Sequence, residues 1–306
     1  MRAGRRSRAP LIEAVNFHVW QPCNMHCRYC FAQFKDVRHS VLPEGHLHEH
    51  EAVEVVKRLA GAGFTKINFA GGEPMLCPWL PELIETAKRH GVTTSVVTNG
   101  SQLEPALISS LADILDWLAI SFDSVLDRTL LTIGRATRGR PIPREHIEQM
   151  GRLAVSYGIR LKINTVVSRA NRAESLAAFI LATRPERWKV MQALRIAGQN
   201  DAGMAAMSVT ADEFDAFVAR HEIVRRHGVH MVVERCDDML GSYAMVDPAG
   251  RFIDNVDGVY AYSDPILSAG VAGAAAQVRL FPQRFLRRGG RYDWRRRPES
   301  CPAPTV

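Results

Sequence analysis

Two periodicities alternate along the first two thirds of the chain. Six short segments, 14–20, 66–70, 94–98, 117–121, 160–166 and 188–194, alternate apolar and polar positions or run continuously apolar, and read as strands. Between them lie stretches of helical length at 48–62, 79–90, 104–111, 144–157 and 172–182. In the first of these Ala52, Val53, Val56, Leu59 and Ala60 fall on one stripe, which Gly61 and Gly63 end. The second starts after Pro78 and stops before Gly91. Strands that alternate with helices pair in parallel, so the expected class is α/β. Six such units are fewer than the eight of a closed barrel, and an open, partial (β/α)6 barrel is the simplest account.

Beyond residue 210 the pattern changes. One helix (212–227) precedes short apolar stretches at 229–233, 243–246 and 252–253. These predict a C-terminal extension covering one mouth of the barrel. The expected division is a flexible basic N-terminus (1–13), the barrel (14–210), the extension (211–294) and a tail (295–306), with no linker or repeat to mark a second independent domain.

The strand alternation carries a second message. Val15, Phe17 and Val19 oppose Asn16, His18 and Trp20; Ile67 and Phe69 oppose Lys66 and Asn68; Leu161 and Ile163 oppose Lys162 and Asn164; Trp188 and Val190 oppose Arg187 and Lys189. If the apolar faces pack under the helices, Lys66, Lys162, Arg187 and Lys189 point into the lumen, where unpaired charge is costly. A lysine at a strand end can instead reach water along its stem, but the pattern recurs in several strands. Few carboxylates share these faces, so the cationic cup calls for an anionic guest, a polyphosphate or polycarboxylate.

Composition narrows the class. At 306 residues, with 46% hydrophobic and 23% charged positions, the chain is an ordinary globular protein. The net charge of +7 suggests nucleic acid until it is located. Arg2, Arg5, Arg6 and Arg8 contribute four charges, and Arg284, Arg287, Arg288, Arg291, Arg295, Arg296 and Arg297, less Asp293, contribute six. The remainder stands at about −3. No nucleic-acid-binding motif accompanies the arginines, no apolar run reaches the ~18 residues a bilayer needs, and no signal-peptide core is present. Neither nucleic acid nor membrane is an expected partner. Six cysteines, three of them within eight residues, do not form a secreted disulfide framework, and a reducing cytoplasm is expected.

Those three are Cys23, Cys27 and Cys30, directly after the first strand. Three thiolates so spaced can hold three corners of a [4Fe–4S] cubane and leave the fourth iron open. Zinc is the competing occupant, with His26 as its fourth ligand. The Cys-x3-Cys-x2-Cys spacing, with Tyr29 before the last cysteine, resembles the radical S-adenosylmethionine (SAM) superfamily. That resemblance implies a radical SAM barrel in which SAM chelates the open iron and is cleaved to a 5′-deoxyadenosyl radical. Gly71-Gly72-Glu73-Pro74 stands where the superfamily has its second signature: the glycines allow close backbone approach and the carboxylate suits an ammonium group. Asn99 and Ser121, each ending a strand, are further candidates for holding SAM, although such residues also close turns.

The wider pattern resembles the viperin family, in particular its prokaryotic members, from about residue 15 to 294. It includes Val15-Asn16-Phe17-His18, Lys66-Ile67-Asn68-Phe69, Leu118 to Ser124, Ile133-Gly134-Arg135, Lys162-Ile163-Asn164, Arg187-Trp188-Lys189-Val190, Asp212-Glu213-Phe214, Ser242-Tyr243 and Arg288 to Tyr292. The resemblance implies dehydration of a nucleoside triphosphate (CTP, UTP or GTP). Abstraction of the ribose 4′ hydrogen, loss of the 3′ hydroxyl as water, one-electron reduction and protonation would give a 3′-deoxy-3′,4′-didehydro nucleotide, a chain terminator used in antiviral defence. It implies that Lys66, Arg135, Lys162, Asn164, Arg187 and Lys189 hold the triphosphate and its surroundings, that Asn16 lies near ribose or base, and that Tyr243 lies close to the reacting sugar. An electron donor of unspecified identity is a further implied partner. The N-terminal membrane helix and C-terminal tryptophan of the animal members are missing from this sequence, which ends Thr305-Val306.

Cys77, Cys236 and Cys301 are scattered and read as core or tail thiols rather than a second cluster. Two rival functions remain at this point: a radical SAM enzyme acting on another phosphorylated small molecule, and a non-enzymatic antiviral scaffold.

Overall fold

A computed structural model describes residues 12–295. Residues 1–11 of the expected flexible N-terminus, all but the first residue of the expected tail, and Cys301 lie outside the described residues. Ile12 and Glu13 are described, Ile12 buried in the core and the Glu13 carbonyl accepting from the Thr65 N–H at 2.9 Å. The six expected strands all form: β1 (Ala14–Trp20), β2 (Lys66–Gly71), β3 (Thr93–Thr98), β4 (Trp117–Ser121), β5 (Arg160–Val167) and β6 (Arg187–Gln192). They pair in parallel and in chain order.

The extension is not a separate layer. Its first apolar stretch becomes β7 (His230–Glu234), parallel to β6, and its second becomes β8 (Ala244–Val246), parallel to β1 on the opposite edge. Two antiparallel strands, β9 (Arg251–Asp254) and β10 (Ala261–Pro265), complete a ten-stranded sheet in the order β10-β9-β8-β1-β2-β3-β4-β5-β6-β7. One continuous sheet therefore crosses residue 210.

That sheet curls. In a flat sheet β8 and β7 would stand about 34 Å apart, seven strand spacings. Yet the hydroxyl of Tyr243, the residue before β8, hydrogen-bonds the carboxylate of Glu234 at the end of β7. The contact bridges the open seam and makes the polar faces of the strands the wall of a lumen. The opposite faces form the core: Val15, Phe17, Ile67, Phe69, Leu118, Ile120, Leu161, Ile163, Trp188 and Val190 are buried. The helix Glu49–Gly61 contributes Ala52, Val55, Val56 and Leu59 to this core.

Three boundaries differ from the periodicity by more than a residue, two of them for a local reason. The helix expected over 172–182 begins only at Ala177, because Asn171 holds the preceding turn. Its amide donates to the carbonyls of Asp123 and Val166 at 2.8 and 2.9 Å, and its Oδ1 accepts from the Ser168 N–H at 2.7 Å. The helix expected over 212–227 is two, Ala211–Arg220 and Ile223–Arg226. Between them the fully buried His221 accepts from the Leu176 N–H at 2.8 Å. The sixth strand covers Arg187–Gln192 rather than 188–194, which makes Arg187 its first residue.

The cover falls on the N-terminal ends of the strands. After the helix Pro282–Arg287 the chain lays Tyr292 and Trp294 against Trp117, the first residue of β4, and the Trp117 indole N–H donates to the Trp294 carbonyl at 2.9 Å. Among the described residues no helix is long and apolar enough to cross a membrane.

Candidate active site

One cavity runs between the two ends of the lumen. Cys23, Cys27, Cys30, Gly71 and Gly72 border it at the C-terminal ends of the strands; Lys66, Lys162, Arg187 and Tyr292 border it toward the other end.

The cysteine loop is fixed by its backbone. His26 N–H donates to the Gly134 carbonyl at 3.2 Å, Arg28 N–H to the Ile133 carbonyl at 2.8 Å, and Cys30 N–H to the Cys27 carbonyl at 3.0 Å. Two glycines permit this proximity: a Cβ on Gly134 would stand 2.2 Å from the His26 carbonyl oxygen, and one on Gly203 would stand 1.8 Å from that of Arg28. The helix that ends at Gly134 (Asp127–Ile133) gave no clear signal in the sequence. Tyr29 is buried; its hydroxyl donates to Asp123 and its carbonyl accepts from the Asn200 amide at 2.8 Å.

The donor set suits a cubane better than zinc. His26 is exposed and forms no part of the cavity wall. Among the described residues no three His, Cys, Asp or Glu side chains converge on a position for a single ion, whereas a cubane takes each thiolate on a different iron. Burial raises all three thiols, Cys27 to about 11 and Cys30 to about 12, so cluster loading displaces protons from them.

The candidate SAM residues surround this loop. Gly71 and Gly72 lie against the backbone of Trp20, Gln21 and Pro22, so closely that a Cβ on either would come within 2.2 Å of a carbonyl oxygen. Asn99 amide nitrogen is 2.9 Å from Asn24 Oδ1 and 3.9 Å from Cys23 Sγ. Ser121 gives its carbonyl to Arg135 at 2.7 Å. Glu73 stands differently from the sequence expectation. Its carboxylate is fully buried and accepts from the Met75 N–H (3.0 Å), the Thr98 hydroxyl (2.6 Å) and the Asn99 N–H (2.7 Å), tying the turn after β2 to the end of β3.

Arg135 also departs from its expected company. It pairs with Asp123 at 3.1 Å and approaches Cys27 Sγ at 4.0 Å, so it belongs to the thiol end rather than with the lysines.

At the other end, Lys66 is buried beneath three rings, 5.0 Å from the centroid of Trp117, 4.7 Å from Tyr292 and 5.7 Å from Trp294. The Arg187 guanidinium stacks 3.7 Å over Tyr292 and donates to the Gly289 carbonyl at 3.1 Å. Lys162 has no hydrogen bond or ion pair among the described residues. Burial, reinforced by mutual repulsion, holds Lys66 and Lys162 well below the usual lysine range. Asn164 is buried with its Oδ1 unsatisfied, and Asn16 Oδ1 accepts from the Asn68 amide at 2.8 Å. His18, to which sequence reasoning gave no role, lines the cavity with both ring nitrogens unpartnered, and burial lowers its pKa to about 3.

Lys189 is the exception among the lumen cations. Its Nζ pairs with Glu234 at 2.7 Å and donates to the Tyr243 hydroxyl at 2.8 Å, and Arg288 completes the group 3.1 Å from Glu234. The carboxylate is held at about 2 by these cations against the cost of its burial, and Lys189 is lowered by burial to about 8. Glu234, at the end of a strand too short to show alternation, and Arg288, in an arginine-rich segment, were not singled out by pattern.

Residues 19–180, more than half of the chain, match the model of the radical SAM superfamily. The fold agrees. Streptococcus suis SuiB bound to S-adenosylmethionine superposes with a TM-score of 0.60 at 14% identity over 80% of this chain and 60% of that one. The native anSMEcpe with bound AdoMet superposes at 0.57 and 16%, over 79% and 73%. Curated relatives are more specific. The S-adenosylmethionine-dependent nucleotide dehydratase of Lacinutrix mariniflava is 48% identical over 284 residues, 92% of this chain and 59% of that protein. Its namesake in Flammeovirga pacifica is 44% identical over 93% of this chain and 97% of its own length, and that of Danio rerio is 35% identical over 94% and 80%. The chain belongs to this family of radical SAM proteins, whose cofactors are a [4Fe–4S] cluster and SAM.

Two substitutions test the two ends. Gly203→Ala forces the Arg28 carbonyl aside and should cost about 1–3 kcal/mol; iron and sulfide per chain after reconstitution should fall with it. Wild-type cluster content would show that the contact is not limiting. Glu234→Gln leaves Lys189 and Arg288 without their counter-charge and should destabilise the chain by about 3–5 kcal/mol in chemical denaturation.

Proposed function

We propose that the protein removes water from the ribose of a nucleoside triphosphate (CTP, UTP or GTP) to give the 3′-deoxy-3′,4′-didehydro nucleotide, and that this product serves antiviral defence. The carrying observation is the single cavity with three thiols at one end and cations lacking carboxylate partners at the other. Its polarity suits a substrate whose phosphates and reacting carbon lie at opposite ends of one molecule.

When bound, the cluster and SAM supply hydrogen-atom abstraction. In this reading Cys23, Cys27 and Cys30 hold the cluster. Gly71 and Gly72 let SAM approach the backbone, with Asn99 and Ser121 beside it. Glu73 acts one step back, fixing the Gly71–Gly72 turn and the Asn99 backbone on which that approach depends. Lys66, Lys162 and Arg187 bind the phosphates, and Asn164 offers its free carbonyl to the nucleotide. Arg135, paired with Asp123, secures the thiol end. Asn16, oriented by Asn68, faces the ribose or base. The Tyr243 hydroxyl, backed by Lys189 Nζ, holds a proton where a departing sugar hydroxyl needs one. Tyr292, Trp294 and the rest of the C-terminal cover keep water from the phosphate end. All five described cysteines are free thiols, which supports a cytoplasmic setting.

The test is anaerobic reconstitution with SAM and reductant, offering CTP, UTP, GTP and ATP separately. A substrate should stimulate 5′-deoxyadenosine formation and yield a nucleotide lighter by one water. Stimulation by none of the four would defeat the nucleotide reading, and full antiviral protection by Cys27→Ser would favour the scaffold. Lys162→Ala should lower kcat/KM roughly 10–100-fold, the loss of a charge-assisted contact of about 1.5–3 kcal/mol, while the cluster spectrum stays unchanged.

The depressed lysines give the binding a pH signature. Above pH 8 a triphosphate is fully ionised, so any proton exchanged on binding belongs to the protein. A bound polyanion raises the lysine pKa values toward normal. Binding should therefore take up protons, and affinity should strengthen as pH falls from about 9.5. Calorimetry in buffers of different ionisation enthalpy reads the uptake directly; none at pH 8.5 would remove the lysines from the phosphate site.

A further inference from the structure

A second, shallower depression lies outside the lumen, on the outer face of the cysteine loop, lined by Gln21, Lys35, Arg38, His39 and Pro43. Its floor is tied to the cluster ligands. Gln21 is two residues before Cys23, so their Cα atoms are within about 7.6 Å. Its side-chain amide donates to the carbonyl of Gln33, three residues after Cys30, at 2.9 Å, and its N–H donates to the Gly45 carbonyl at 3.2 Å.

The depression is cationic and its charge is uncommitted. Lys35, Arg38 and, within the cluster loop itself, Arg28 are exposed and form no ion pair among the described residues. The neighbouring carboxylates are mostly taken: Asp36 is held by Arg251 at 3.0 Å and by the Tyr262 hydroxyl at 2.8 Å, and Asp201 is paired with Arg195, which leaves Glu44. Arg38 and His39 sit on a single π turn, Val37–Val41, an irregularity frequent at functional sites. Pro43 lines the same depression, and Val41, two residues earlier, is 39% exposed, so apolar surface accompanies the basic residues as it does in protein contacts. Lys35 and Arg38 thus put uncommitted positive charge beside the thiol loop, and an acidic protein is drawn to it.

We infer that this face docks a small acidic electron-transfer protein that feeds the cluster one electron at a time. One electron leaves the carrier's cofactor and enters the cluster through the Gln21–Cys23 side of the loop, and no atom or proton is transferred. The inference rests on the cluster assignment and not on the identity of the nucleotide.

The probe is a flavodoxin, an acidic flavoprotein, and the test variant is Lys35→Glu/Arg38→Glu. The control, Arg152→Glu/Arg226→Glu, reverses the same number of charges on the outer helices. Oxidised flavodoxin should bind the wild-type holoprotein with an affinity that falls as salt rises, and the test variant at least 10-fold more weakly. Reduction of the cluster by flavodoxin hydroquinone, followed by its absorbance, should slow by a similar factor. Reduction by dithionite, cluster content and thermal midpoint should match wild type, which separates a docking defect from a folding or cluster defect. Three results would overturn the inference: salt-insensitive or undetectable flavodoxin binding by the wild type, wild-type binding and reduction in the test variant, or an equal loss in the control. Competition by inorganic phosphate at millimolar concentration as effective as that by sodium chloride at molar strength would also overturn it, because the face would then be a small-anion site.

Discussion

Glu234 joins the two edges of an open sheet and neutralises part of the charge that the sheet encloses. It sits at the end of β7, yet its partners come from β6 (Lys189), from the residue before β8 (Tyr243) and from the C-terminal cover (Arg288). Eight parallel strands without a ninth to close them have a seam, and here a buried ion network fills it. Buried pairs contribute little net stability unless fully hydrogen-bonded, but breaking one is expensive. The network therefore works as a specification: it fixes how far the sheet curls, and with it the distance between lumen walls. Lys66, Lys162 and Arg187, which Glu234 does not bond, stay without a carboxylate partner and are open to an anion that arrives later. Aromatic rings over Lys66 and Arg187 offset part of the cost of waiting.

At the opposite end the constraint is steric. The cysteine loop carries few side-chain anchors of its own and is held by backbone hydrogen bonds to the turn after a short helix. Gly134 and Gly203 let two other segments close on it to carbonyl-contact distance. Glu73 does the same for the turn after β2 by satisfying two N–H groups and a hydroxyl at once. Loop and turn thus owe their positions to groups that touch no cofactor, and substitution of those groups acts through geometry before chemistry.

Much of this was legible in the sequence because it is periodic or contiguous. Six strands, the inward lysines and the thiol loop all follow from spacing, and Lys66, Lys162, Arg187 and Lys189 do share one lumen. The remainder depends on contacts that spacing does not encode. Glu73 reads as an exposed ligand in Gly-Gly-Glu-Pro until the end of β3 is seen to supply two of its three donors. Arg135 follows the conspicuous Ile-Gly pair, but Asp123, not the lysine group, decides where it points. Glu234 and Arg288 belong to segments with weak pattern, and their pairing spans the sheet's seam. Asn171 and His221 interrupt helices through side-chain bonds to distant backbone, which apolar periodicity cannot register. The resemblance to a known family helped most where pattern was weakest, at Tyr243 and in the segment from Arg288 to Tyr292.

The length of the strands connects these two ends to the proposed reaction. Lys66 opens β2 and Gly71 closes it, a separation of about 16 Å at the usual strand rise. A ligand spanning the lumen must place its anionic group and its reacting group that far apart, less the reach of the side chains. The Lys66 and Arg187 side chains lie against Tyr292 of the cover at one end, and the three thiols border the lumen at the other. What lies between is the layer of Asn16, Asn68, Asn164 and Tyr243, uncharged and rich in hydrogen-bonding groups. Such a layer suits a sugar, which is polar and uncharged, and suits neither a phosphate nor a bare apolar chain. Phosphorylation alone would not select the substrate, because any phosphorylated metabolite satisfies the cations. Selection requires a hydroxyl-bearing ring at a fixed distance from the phosphates, and the number of residues in β2 sets that distance.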